Sequence, residues 1–252
     1  MARGRYIARQ DSDDISFPCR LSRLAEVMDA HPEVSMISSA TVMMGPGEEL
    51  LMENAGRPGS AASTPDSSCH GSLMFRRDRY EQVGGYREQF WSAQDIDLRA
   101  RLTEVGPTHL VPEVLYAFRV EENSISAFSP IQKTLSRLAS QAAIARREGR
   151  DDADILAEAA RVSASRNAGR RIEPGAGDYF IGRCLYRRRD RRALRYLWAS
   201  CRSAPASLRC WLAWLQAFLL TRSARGADVT LTDISDRSGG PSGKPIMLKP
   251  LP

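Results

Sequence analysis

Three carboxylates crowd into four positions near the start of the chain, Asp11, Asp13 and Asp14 in the stretch QDSDDISFP. Like charges this close repel, and a bound cation relieves the repulsion. At i and i+2 in a turn, Asp11 and Asp13 can face one hard divalent ion. Its remaining positions are then left to phosphate oxygens or water. An EF-hand loop is excluded, because it needs glycine at its sixth position and glutamate at its twelfth, where this chain has Ser16 and Ser22. The plainer reading is a solvated turn in which Asp14 caps a helix beginning at Pro18.

The elements around the cluster are legible from periodicity. RYIAR (5–9) reads as a short strand running into the acidic turn. From Pro18 to Ala30, Leu21, Leu24, Ala25 and Met28 recur at helical spacing, so an amphipathic helix follows. VSMISSATVMM (34–44) reads as a buried strand closed by Gly45-Pro46-Gly47, and residues 53–68 as a mobile loop. A strand through Met74 and Phe75, a short helix and a turn at Gly84-Gly85 come next, then a helix over 92–106 ended by Gly106. THLVPEVLYAFRV (108–120) supplies one or two strands interrupted by Pro112. Strands alternating with helices give an α/β domain ending near residue 128. Beyond it the pattern is helical throughout, at about 130–148, 152–168, 176–187, 190–203 and 206–221. The expected organisation is 1–128 α/β, 129–222 helical and 223–252 a disordered tail rich in Gly, Ser, Asp and Pro.

Charge separates the two halves. Residues 1–126 hold 13 Lys/Arg against 19 Asp/Glu, a balance of −6, and residues 127–252 hold 23 against 11, a balance of +12. The basic excess peaks in CLYRRRDRRALRYLWASCR (184–202), where Arg187, Arg191 and Arg195, with Arg183 just before it, share one helical side. A solvated helical hairpin is the first reading of this run. Anionic lipid headgroups come next, given Trp211, Trp214 and Phe218 on the following helix. Nucleic acid comes last, since no recognition motif accompanies the charge. Five cysteines without a CxxC pair argue against a disulfide framework or a zinc site and favour a reducing compartment. The most apolar stretch, CWLAWLQAFLL, is too short to span a bilayer. The first ten residues lack the apolar core of a signal peptide, so the expected location is the cytoplasm, including the inner face of its membrane.

Three blocks carry a resemblance. ARGRYIARQDSDDISFPCRLSRLAEVMDAHPEV (2–34) is similar to the centre of the family 2 glycosyltransferases of GT-A fold, with Asp11, Asp13, Asp14, Pro18, Arg20, Leu21, Pro32, Glu33 and Val34 in place. CHGSLMFRRDRYEQVGGYREQFWSAQDIDLRARLTEVG (69–106) resembles the acceptor-side segment of that family. PEVLYAFRVEENSIS (112–126) looks like the strand and loop that close its site. The fold implied is α/β, a partial GT-A nucleotide-diphospho-sugar transferase domain followed by an all-α region.

The resemblance implies that Asp11 and Asp13 hold Mn²⁺ or Mg²⁺ against the diphosphate of a nucleotide-sugar donor, with Glu121 as a further ligand where the family often has histidine. It implies that Asp95 is the general base for an acceptor hydroxyl on a glycan or lipid-linked acceptor, in an inverting transfer. His70 and Gln94 fall on the acceptor side. His31 and His109 read as structural. Read alone, Asp95 is a carboxylate at a helix N-terminus, where the macrodipole favours it. Gln94 stands where the family has glutamate, which removes a like charge beside Asp95 and leaves it less basic but ionised. The opening strand and nucleoside-gripping turn of the family have no counterpart in these residues, since Met1 falls ten positions before Asp11. The expectation is therefore the C-terminal portion of a transferase. The alternative is a non-catalytic remnant that binds a partner or a membrane.

Overall fold

The computed structural model describes residues 2–54, 69–121, 130–164 and 174–221. They form a mixed sheet sandwiched by helices, followed by a helical region, so the α/β-then-helical architecture expected above is the one observed. The strands are β1 (Tyr6–Ala8), β2 (Ile15–Ser16), β3 (Met36–Met44), β4 (Leu50–Asn54), β5 (Met74–Arg76) and β6 (Thr108–Arg119). The helices are α1 (Arg20–Ala30), α2 (Arg77–Gln82), α3 (Gln94–Glu104), α4 (Pro130–Arg147), α5 (Ala153–Ala164), α6 (Ala176–Arg187), α7 (Ala193–Ser203) and α8 (Leu208–Thr221).

The sheet runs in the order β1-β5-β3-β6-β2, with β4 also paired to β3. β3 lies at its centre because nearly every side chain of MISSATVMM is buried, on both faces. It pairs in parallel with β6 along one edge and antiparallel with β5 and β4 on the other. Alternation then assigns the covering helices. Ile37 points to the side where Leu24, Val27 and Met28 of α1 pack, and its neighbour Met36 points to the side where Leu98 and Leu102 of α3 pack. The starts of α1 and α3 therefore belong to opposite layers.

The helical region is fastened to this unit at two places. Phe90 and Ala93 share a core with Leu135, Leu138 and Ala142 of α4 and Ala159 of α5, and Leu51 shares one with Ile181, Leu185 and Tyr196. Buried Glu49 accepts hydrogen bonds from Arg195 and from the Tyr196 hydroxyl.

Several expectations need correction. Asp14 does not cap α1, which starts two residues later than expected and is preceded by Cys19 with no side-chain cap. Leu21 is exposed, and the buried stripe of α1 consists of Arg20, Leu24, Val27 and Met28. Glu53 and Asn54 end β4 rather than begin a loop, and β2 and β4 were not anticipated. Pro112 does not split the last strand. Pairing jumps from Ser39↔Val111 to Ala40↔Val114, so the residue without an N–H sits in a bulge of one continuous strand. The remainder of the 53–68 loop, the end of the 152–168 helix and the 223–252 tail lie outside the described residues.

Candidate active site

β1 delivers the chain to Arg9, and residues 10–14 then turn back so that β2 can pair with β6. The Asp14 N–H donates to the Asp11 carbonyl at 3.3 Å, and Gln10 Nε2 donates to the carbonyls of Asp11 and Asp14. The turn is pinned to β6 by Asp14. Its Oδ2 accepts from the Tyr116 hydroxyl at 2.7 Å and its Oδ1 from the Arg119 N–H at 2.9 Å. Burial raises the Asp14 pKa, opposed by those two donors. Tyr116 is completely buried, and its oxygen also accepts the Asp11 N–H at 3.2 Å.

Arg20 holds the same junction from below. It is 1% exposed and donates to the carbonyls of Arg9 and Gly71, both at 2.7 Å, while its guanidinium lies 4.7 Å from the centre of the Tyr116 ring. Burial lowers its pKa. An arginine that gives up hydration to this extent needs such acceptors.

With Asp14 committed to the scaffold, the two other carboxylates differ. Asp11 Oδ1 accepts from Arg9 at 2.7 Å. The Asp13 carboxylate is exposed and accepts no hydrogen bond among the described residues. Two hard oxygen donors at the edge of a rigid turn fit a divalent cation such as Mn²⁺ or Mg²⁺. Among the described residues no three His, Cys, Asp or Glu side chains are close enough to share one ion, so ligand oxygens and water would complete its shell. Glu121 is exposed just past β6, two residues beyond the Arg119 that anchors Asp14.

The second carboxylate centre comes from α3. Asp95 and Asp97 both lie in its first turn. Asp97 is fully buried and spent on Arg101, with Arg87 3.7 Å away. Asp95 is half-buried and accepts no hydrogen bond among the described residues. Its field reaches His70 and Tyr86, and so does that of Asp11. The turn after β1 and the start of α3 thus act electrostatically on a common pair. His70 Nε2 and the Tyr86 hydroxyl are hydrogen-bonded at 2.9 Å. Gln94, beside Asp95, lines a cleft of about 820 Å³ together with Tyr86, Trp91 and Ser163 of α5.

His70 is neutral here. Burial, helped by Arg9 and Arg99 and opposed by Asp95 and Asp11, pushes it down to about 4. An unfolded histidine titrates near 6.5, so between those values the unfolded chain binds more protons, and stability is lost as pH falls through that window. Replacing His70 with Gln should flatten this dependence. In urea titrations at pH 7 and pH 5, wild type should lose up to about 2 kcal/mol more than the variant. Asp14 also titrates in acid, with the opposite sign, but it is present in both proteins and cancels. Parallel losses would show that His70 does not carry the effect. Tyr86 is pushed up to about 12 and Cys69 up to about 12, each by burial, so neither is a nucleophile near neutrality.

Of the residues expected from sequence, Asp11 and Asp95 both act electrostatically on His70, Asp13 lies in the turn of Asp11, and Gln94 lines the cleft beside Asp95. Glu121 joins no three-residue cluster with the aspartates among the described residues. Sequence reasoning missed Arg9, Tyr86, Tyr116 and Arg119. The buried role of Arg20 had a signal, since it occupies the apolar i, i+4, i+8 stripe of α1 with Leu24 and Met28.

No protein-family model matches the chain. Over 130 residues it is 32% identical to a Bacillus subtilis (strain 168) protein named "Putative glycosyltransferase EpsE", covering 49% of this chain and 46% of that one. Over 125 residues it is 26% identical to the "Amylovoran biosynthesis glycosyltransferase AmsE" of Erwinia amylovora, covering 48% and 47%. The chain is similar to named glycosyltransferases. It spans about half the length of these two relatives. A third relative, protein y4gI of Sinorhizobium fredii, is 30% identical over 171 residues, which is 62% of this chain and 18% of that protein.

Proposed function

We propose that this chain carries the diphosphate-facing and acceptor-activating portion of an inverting, family 2-like glycosyltransferase of GT-A fold. The observation that supports this reading most is that Asp11, from the turn after β1, and Asp95, from the start of α3, both act electrostatically on the hydrogen-bonded His70–Tyr86 pair. The similarity to named glycosyltransferases supports it independently. The donor proposed is a nucleotide-diphosphate sugar, and the acceptor a hydroxyl of a glycan or lipid-linked saccharide. The process proposed is synthesis of a cell-surface polysaccharide at the inner face of the membrane.

Asp11 and Asp13 would hold Mn²⁺ or Mg²⁺, with donor phosphate oxygens and water completing the shell. Glu121, expected from the resemblance as a further ligand, does not join them in a three-residue cluster among the described residues. When bound, the ion offsets charge on the departing nucleoside diphosphate. Asp95 accepts the proton of the acceptor hydroxyl as that oxygen bonds to the anomeric carbon and the bond to the diphosphate breaks on the opposite face. Attack from opposite the leaving group inverts the configuration. Asp14, Tyr116 and Arg119 fix the turn, and the neutral His70–Tyr86 pair feels both carboxylates without adding charge. Nucleic acid is not part of the proposal, since no recognition motif accompanies the basic run.

Calorimetric titration of Mn²⁺ tests the ion site. Loss of a partner behind a ligand typically costs about 10–100-fold in affinity, so Asp13→Ala should weaken binding by at least about tenfold. Equal affinity in wild type and variant would remove Asp13 from the site.

A further inference from the structure

The last helix is built with its apolar weight outward. The face of α8 that packs on the protein carries Cys210, Ala213 and Ala217, all buried, with Trp214 partly buried at its margin. The opposite face carries Leu208, Trp211, Leu212, Leu215, Phe218 and Leu219, all exposed, with Leu208 at 78% and Leu219 at 61%. A helix facing water buries its large side chains and exposes polar ones. Here the fully buried residues are small, and most of the large ones are outside. The face continues onto α7, where exposed Trp198 meets Trp211 at 5.8 Å and Trp214 at 5.6 Å. An apolar patch of this kind marks an interaction surface.

Charge identifies the occupant. Neither α7 nor α8 contains an Asp or Glu, and residues 174–221 hold nine arginines against Asp178 and Asp190. Arg191 on the turn leading into α7, and Arg195, Trp198 and Arg202 on the helix, recur at i, i+4, i+7 and i+11. All four are exposed, so an arginine stripe borders the apolar face. Arg195 is engaged by Glu49, whereas Arg191 and Arg202 have no carboxylate partner among the described residues. A second copy docked by the same face would set arginine against arginine with no carboxylate on either helix to offset it. Fourteen residues of α8 extend about 21 Å, short of the roughly 30 Å hydrocarbon core, and among the described residues no helix is long and apolar enough to cross a membrane.

We infer that α7 and α8 form a docking surface for an anionic lipid bilayer. α8 lies in the interface with its leucines and aromatic rings toward the acyl chains, and Arg191 and Arg202 reach lipid phosphates. This inference does not depend on glycosyl transfer, and its test has no activity readout.

The test is co-sedimentation of the full chain with phosphatidylcholine vesicles, with and without phosphatidylglycerol. The protein should sediment with the anionic vesicles and be released by high salt. Leu212→Glu with Leu219→Glu, at exposed positions that leave the fold intact by circular dichroism, should lower partitioning on the order of a hundredfold. Arg191→Gln with Arg202→Gln should lower it about tenfold, on anionic vesicles only. Failure to sediment with anionic vesicles, or equal binding to neutral ones, would overturn the inference. So would a dimer in analytical ultracentrifugation that the double glutamate variant dissociates, because the occupant would then be a second copy.

Discussion

In a donor-binding context, with a nucleoside-binding half supplied, Asp95→Asn should reduce glycosyl transfer by at least about a hundredfold while leaving Mn²⁺ and donor binding close to wild type. General-base catalysis is worth roughly 10²–10⁴-fold, and an amide of the same shape cannot take the acceptor proton. The neighbouring carboxylate, Asp97, cannot substitute, because it is fully buried and held by Arg101. The fall should appear in kcat and in kcat/KM for the acceptor, since the interaction is made only as the proton moves. Asp97→Asn should behave differently, lowering stability through the loss of a buried charge partner. A variant that retains more than about a tenth of wild-type turnover would place the base elsewhere.

Gly71→Ala should be the most destabilising small substitution in the α/β half. A Cβ at that position would stand 2.1 Å from the Tyr116 oxygen and 2.5 Å from its Cζ. Tyr116 cannot yield cheaply, because it is fully buried and bonded to Asp11 and Asp14. Overpacking costs about 1–3 kcal/mol, and each hydrogen bond lost as the ring shifts adds about 1. A total near 3 kcal/mol lowers Tm by about 6–12 °C in a chain of this size. The acidic turn should loosen with it, so Mn²⁺ affinity should fall although no ligand has changed. On a Tyr116→Ala background the same substitution should cost far less, because the clash is with that ring. A Tm within about 2 °C of wild type for Gly71→Ala would refute this account of the junction.

These two residues show what could and could not be read in advance. Asp95 could be singled out as a candidate because a helix start, an acidic residue and a resembling segment coincide in the chain, and the structure does place it in the first turn of α3. Gly71 was not legible, since its constraint comes from a tyrosine 45 positions later, placed against it by the parallel pairing of β3 and β6. Helices were read well, with α6 found at its observed bounds, because 3.6-residue periodicity is a local signal. β2 and β4 were missed because two- and five-residue strands acquire their identity from partners elsewhere. Asp14 illustrates the same limit. Its position before a helix suggested a cap, but its two oxygens serve donors on β6 more than a hundred residues away.

The most direct test of the central claim is one transfer assay. The chain, joined behind the nucleoside-binding half of a GT-A transferase, would be given UDP-, GDP- and dTDP-sugars with Mn²⁺ and a membrane-extract acceptor, and both nucleoside diphosphate release and the anomeric configuration of the product would be followed. The account predicts release coupled to a product of inverted configuration, abolished when Asp11 and Asp13 are both replaced by alanine and by Asp95→Asn alone. Transfer with retained configuration, or transfer undiminished in those variants, would contradict it.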